Sequence, residues 1–580
     1  MSKITKIATL ITSLAFTLGS LIVPFQARAA EIPPVSGLVG SWSVTNLAAD
    51  KDGWRVETFK NDRDLVAWTE VNDATKARRL YAYDGVSTRL LVSLVLHDWE
   101  DPVGAAFYDT VSGNYDVADG LVVWAQFDGH DREIYSFDGS QVQQVSNNTY
   151  DDKHPVTSRG RVAWTSVPGS SYNLMVKDQA GIRRLDGFHV LNYAFSGPNL
   201  FWLNRLPNET WFRVFSNDGQ RTDAVGEGDD RPMQKYFYVD GQGSAAWEYS
   251  TKNWAYDKRV IYLSESGAAA RRIIQRDVPP NLLRIEAVRG GQVLLNATDL
   301  LTSMYLSNTQ LILSNGFSEK IITRQSLSAK ARFVEGGLIR HLVPETASDL
   351  IFNGDRGGQD YVNYDHVILD RFESDGTMAA GALLKGGVVV YAKGKAVNIP
   401  TASEVRILSV DGGNVAWIEG DLGHGILKSA CQPLLVKTSA GPKYLTGHLI
   451  KSATGPAVYL AATDGKRYLF TGESQFYGWY NDFRSLRNVS GASLAALPLG
   501  GNVLYRPGYR LIKTASSPRV YTVGEQGKLQ WVTNAEILVL LFGQDWSRKM
   551  LDVVPESLLA DYAFGSAVDS SSRFYMAVNQ

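Results

Sequence analysis

The stretch "DGHDRE" sets Asp128, His130, Asp131 and Glu133 close together. Oxygen-rich turns of this kind hold Ca²⁺, which takes six to eight oxygen ligands. The stretch lacks the further acidic residue of a full calcium loop, and it falls where a hairpin has to turn. A solvated hairpin is therefore the plainer reading. Ca²⁺ is the one ion worth testing, and no other cofactor is expected. Asp151, Asp152 and His154 form a second group with acid and base types side by side. A third lies in "GDRGGQDYVNYDH", where Asp355, Asp360, Asp365 and His366 interrupt an apolar pattern. A long polar loop there would overhang a binding surface, and such loops often carry function. A plain surface insertion is the plainer reading. Trp479, Tyr480, Phe483 and Trp546 are the aromatic candidates for stacking on sugar rings. The core of a small domain is the plainer reading.

No nucleophile elbow, phosphate loop or zinc motif occurs, and the eight His residues never fall at H-x-H or HExxH spacing. Cys431 is the single cysteine, so no intrachain disulfide forms and the core must hold by packing.

The elements that would position these groups follow a pattern between residues 40 and 445. An apolar strand with a Trp is followed by a polar turn and a second strand that ends near Asp-Gly or Ser-Gly. It is read at Trp68 with Asp84, Trp124 with Asp138, Trp164 with Asp178, Trp202 with Asp218 and Trp247 with Ser266. Weaker copies follow at Val293, Ile339, Val390 and Trp417. A self-similar period of about forty residues in alternating strands predicts a β-propeller of four-stranded blades. Some of the nine strand starts share a blade on this reading, so seven or eight blades are expected. The Trp strand belongs in the middle of a blade, and the Asp-Gly pairs suit tight hairpins. A stack of β-sandwiches is the alternative.

"NNTYDDKHPVTSRGRVAWTS", with partial copies at "EGDDRP" and "HDWEDP", sets acids before Pro and an apolar Trp strand. In this the chain resembles the TolB-like propeller repeat. The resemblance is strong over the first five blades and faint after them. It implies that Asp151 and Asp152 brace blade loops through backbone hydrogen bonds.

At 580 residues the chain is long enough for two or more folding units. Its first thirty residues read as a secretory signal peptide over 1–29, with Lys3 and Lys6, an apolar run and "ARA" at the cut. The 58 basic residues include Lys3, Lys6 and Arg28, so cleavage leaves a mildly acidic chain against 60 carboxylates. That balance gives no reason to expect nucleic acid as a partner. No later run is apolar for long enough to span a bilayer.

Past Leu445 the style changes. "LIKSATGPAVYLAATDGKRYLF" from Leu449 returns as "LIKTASSPRVYTVGEQGKLQWV" from Leu511, with Lys451 over Lys513 and Tyr459 over Tyr521. Two copies, 447–506 and 507–565, are expected to form a small α+β tandem-repeat domain, followed by a flexible tail over 566–580. Each copy should carry a hairpin, an aromatic helical stretch and a last helical turn. Ser490 is the expected N-cap of one such turn and Pro555 opens the other. The pair resembles a C-terminal repeat of exported cell-surface proteins from candidate-phylum bacteria. That likeness implies a display role and assigns no catalytic residue.

The fold expected is thus mainly β, a propeller followed by the small repeat domain. The function expected is an exported, non-enzymatic binding protein at the cell surface, the wider extracellular space or a periplasm-like space. Its partner would be an envelope component or another surface protein, with glycans among the ligands to test. A polysaccharide-acting hydrolase or lyase, and a structural surface-layer component, are the rival classes.

Overall fold

The computed structural model describes most of residues 38–570. Residues 1–37, 571–580 and several inner segments, the longest being 95–114, lie outside that description, as do the side chains of 321–371. The leader read over 1–29 is among the residues not described.

Residues 54–399 form eight four-stranded antiparallel blades, each built from four consecutive strands. They cover 54–94, 115–144, 151–186, 190–228, 238–277, 283–325, 330–362 and 367–399, and are numbered blades 1 to 8 in that order. A composite sheet closes the ring as its ninth sheet. It takes Val405–Asp411, Asn414–Asp421 and His424–Cys431 from the far end of the propeller. Its outer strand, Trp42–Ala49, comes from the near end and pairs Val44 with Ala430. Leu38–Val39 adds a short fifth strand. The chain is mainly β, and the eight consecutive blades match the upper of the two expected counts.

The nine strand starts fall one to a sheet. Val390 alone lies in a third strand, Val388–Ala392, because blade 8 uses Met378–Leu383 as its second. All the others stand in second strands. There Trp68, Trp124, Trp164, Trp202, Trp247 and Trp417 are fully buried. A second strand has a neighbouring sheet on both faces, so it reads as a continuous apolar run instead of alternating. "NLFWLN" over Asn199–Asn204 is buried at every position. Four of these indoles stack on the aromatic residue directly opposite in the third strand. The pairs are Trp68–Tyr81, Trp124–Tyr135, Trp202–Phe215 and Trp247–Tyr262, with ring centroids 5.4–6.0 Å apart. Facing rings of this kind add about 0.5–1.5 kcal/mol beyond burial.

The Asp-Gly pairs make the turn from third to fourth strand. Asp138 accepts the amides of Ser140 and Gln141, and Asp218 those of Gln220 and Arg221. Gly139 and Gly219 have φ of 89° and 104°, which a side chain would resist.

After Cys431 the hairpin Leu434–Thr438 and Gly441–Leu445 stands between two five-stranded sheets. The first sheet has the order Arg487–Val489, Gly447–Ser452, Val458–Ala462, Arg467–Leu469, Leu499–Asn502. The second repeats that order with Leu551–Val553, Leu511–Lys513, Val520–Val523, Lys528–Val532, Ala563–Phe564. In both, the two edge strands run parallel to their neighbours. Ile450 faces Tyr459 as Ile512 faces Tyr521. The region is richer in sheet than in helix, with helices such as Glu473–Trp479 and Ala535–Phe542 kept short. Ser490 caps Gly491–Ala496, its side chain accepting the amide of Ser493.

Two details depart from the boundaries read in the sequence. Leu434 and Val436 pack into the first C-terminal core and Leu435 into the second, so propeller strands end at Cys431 instead of at 445. Val568, read as tail, is buried: its amide donates to the Trp531 carbonyl over 2.8 Å and its own carbonyl accepts from Thr533.

Candidate functional site

The structure brings Asp128, Asp131 and Glu133 together. One carboxylate oxygen from each lies within 4.8 Å of the others. They sit where blade 2 passes from its second to its third strand, beside the chain that leads into blade 3. Their roles differ. Asp128 is exposed and accepts the amides of His130 and Asp131, and these bonds hold its carboxyl below the usual range. Glu133 is 0% exposed, and burial pushes its carboxyl up. It accepts from the Ser146 hydroxyl and from the Asn148 amide. Asp131 is also raised, first by burial and then by the charge of Glu133.

The second group continues this network. Asp152 is 0% exposed, accepts from the Asn148 side chain over 2.8 Å and is raised by burial. Asp151 binds the Arg132 amide and guanidinium and the Lys153 ammonium. Blade 2 and the first strand of blade 3 are thereby tied through Glu133–Asn148–Asp152 and through Arg132–Asp151. The lone pairs of Glu133 are engaged in holding Ser146 and Asn148, which suits a brace better than a general base. His154 has positive φ at a bulge in the strand Asp151–Ser158, and Tyr193 donates to its carbonyl.

A Ca²⁺ ion here would have Asp128 and Asp131 as its accessible ligands, with Glu133 shared. Asp128→Ala is expected to cost about 0.5–1.5 kcal/mol through the lost turn bonds. Adding 1 mM Ca²⁺ to the parent should move the melting temperature by less than ~1 °C if the cluster is only a brace. A rise of several degrees that Asp128→Ala removes would make it a cation site instead.

Asp355, Asp365 and His366 lie outside the described residues, as does the side chain of Asp360, whose backbone belongs to Gln359–Val362. Three of the aromatic candidates, Trp479, Tyr480 and Trp546, pack into the C-terminal cores. Trp479 donates to the Leu504 carbonyl over 2.8 Å and touches both C-terminal cores. Tyr480 stacks on Phe476 at 5.2 Å, and Trp546 is half-buried against the core around Leu538. Phe483 stacks on Phe476 at 4.3 Å yet is 40% exposed, as is its neighbour Tyr477.

Two residues with no motif prove to matter for the arrangement. Arg487 and His448 of the first C-terminal sheet meet blades 1 and 2. A Cβ on Gly139 would lie 3.0 Å from Arg487 Nη1, and one on Gly120 3.6 Å from its Nε. His448 interacts with Asp84, in the last turn of blade 1. These turns join first to second and third to fourth strands. The acid cluster lies at the opposite ends of the same strands.

No family model matches the chain, and no curated protein matches it. Solved structures similar to it include the β-propeller domain of the Trilobed protease from Pyrococcus furiosus. That likeness has 10% identity and a TM-score of 0.31, covering 50% of this chain and 95% of that one. The uncomplexed Pyrococcus horikoshii acylaminoacyl peptidase is 10% identical with a TM-score of 0.31, covering 53% of this chain and 59% of that one. This chain thus spans less than two thirds of the peptidase's length. Neither likeness bears on activity, and the propeller assignment stands on the strand order itself.

Proposed function

We propose that the chain is an exported, TolB-like propeller that binds a partner without catalysis and is displayed at the bacterial cell surface by its C-terminal pair of sheets. The observation that carries this reading is the placement of the pair. It docks on the turns at Asp84, Gly120 and Gly139, and so leaves the opposite loop face around Asp128–Tyr150 open to a ligand. The acids on that face that are most buried, Glu133 and Asp152, hold loops. The partner is an envelope component, another surface protein or a glycan.

The test compares the full chain with one ending at Cys431, which keeps every propeller strand and drops the hairpin with both C-terminal sheets. The full chain should sediment with isolated envelope material and the short one should not, while both keep a cooperative melt. Equal sedimentation would remove the display role. Hydrolysis of an envelope polysaccharide by the short chain would favour the enzyme reading.

A further inference from the structure

The joint between the propeller and the C-terminal pair contains an ionisable group in an unusual position. His448 is carried by the strand Gly447–Ser452 and is set against the turn that follows Tyr83. One ring nitrogen, Nδ1, is buried without a hydrogen-bond partner, which leaves Nε2 for the bond to the main chain of Asp84. Two charged groups bear on the ring. Arg487, from the neighbouring strand Arg487–Val489, disfavours a second positive charge, and Asp84, from the propeller side, favours it. Asp84 is itself committed, its carboxylate accepting the amides of Val86 and Ser87. The guanidinium of Arg487 lies over Gly120 and Gly139, at the propeller side of the joint. A proton added at Nδ1 would thus sit buried, unpaired and close to the positive charge of Arg487.

We propose that this joint is an acid-sensitive clasp. It holds while His448 is neutral and loosens when the imidazole takes up a second proton, freeing the C-terminal pair from blades 1 and 2 while both parts stay folded. This goes beyond the display reading and does not depend on it.

Burial, with Arg487 second, pushes the His448 imidazole down to about 4 from its ordinary 6.5. The sign follows from linkage. The docked state prefers the neutral ring, so docking is at full strength above about pH 6.5 and weakens as pH falls toward 4. At pH 4.5 the docking constant should be roughly 10²-fold lower than at pH 7.5. Once released, the ring titrates as an ordinary histidine.

The experiment uses the full chain, with small-angle scattering and hydrogen exchange corrected for intrinsic rates, between pH 7.5 and 4.5. The parent should expand and lose protection at 82–87, 118–121 and 138–141 while the second strands of the blades stay protected. His448→Gln keeps a donor for Asp84 but cannot take up the proton, and should show no such change with pH. Arg487→Gln should move the opening to lower pH, and it serves equally if the first variant misfolds. The clasp is overturned if the parent keeps its shape and protection at pH 4.5. It is overturned too if His448→Gln opens at the parent's pH, or if all amides lose protection together.

Discussion

Removing residues 38–50 should cost the propeller its single cooperative melt. The strand Trp42–Ala49 is the outer strand of the closing sheet, and its side chains enter two separate cores. Trp42 and Val44 pack with blade 8 and the closing sheet, and Leu47 and Ala48 with blade 1. At about 1.5–3 kcal/mol for each large apolar side chain, their removal forfeits on the order of 6 kcal/mol. That equals much of the net stability of a typical domain. It also strips the pairing of His424–Cys431 with its outer neighbour, and an unpaired edge of this length is a template for association. The expected result, by calorimetry and sedimentation, is a melting temperature at least ~10 °C lower, with soluble oligomers or precipitate. A monomer melting within ~2 °C of the parent would show that the ring does not need this strand.

The second large effect is expected at Trp124. The indole is 0% exposed in the core shared by blades 1 and 2, stacks on Tyr135 at 6.0 Å and donates to Gln126 over 3.1 Å. Trp124→Ala should cost about 3–5 kcal/mol, because neighbouring sheets cannot collapse into the cavity. Trp124→Phe keeps a ring and loses the indole hydrogen bond and some volume, and should cost about 1–2 kcal/mol. Urea midpoints at unchanged slope would measure both. A cost below ~1 kcal/mol for the alanine variant would mean that the core repacks freely.

How much of this was legible depends on whether the signal is local. Trp68, Trp124 and their counterparts announce second strands because a position with a sheet on both faces must be large and apolar. Asp138 and Asp218 announce turns because their carboxylates bind amides two and three residues on. Both facts fit within one hairpin. The nine strand starts were visible as well, yet the composite sheet was not. The link between Val44 and Ala430 leaves no mark on either segment, so the pattern invited a merging of starts.

The candidate site was half legible for the same reason. Asp128, Asp131 and Glu133 are near in sequence and near in space. Ser146 and Asn148, which bind Glu133, follow by more than ten residues and carry no recognisable spacing. Arg487 reaches Gly120 and Gly139 across most of the chain. The aromatic candidates were ambiguous in the sequence because an indole beside polar groups reads alike whether it faces a ligand or, as Trp479 does, a carbonyl of its own fold.

The composite closing sheet also sets the order of events during synthesis. Trp42–Ala49 is among the first strands to leave the ribosome or to cross a membrane, and its partner His424–Cys431 follows about 380 residues later, a separation that makes closure a slow, non-local step. Blades 1 to 8 are local and can form as they emerge, each on the last. Throughout that interval the early strand has only the short Leu38–Val39 beside it and lacks its long partner, so its shielding by a holdase would govern the yield. Translation stalls before Cys431 should give chains that are largely folded yet prone to stick, whereas stalls after it should release closed rings.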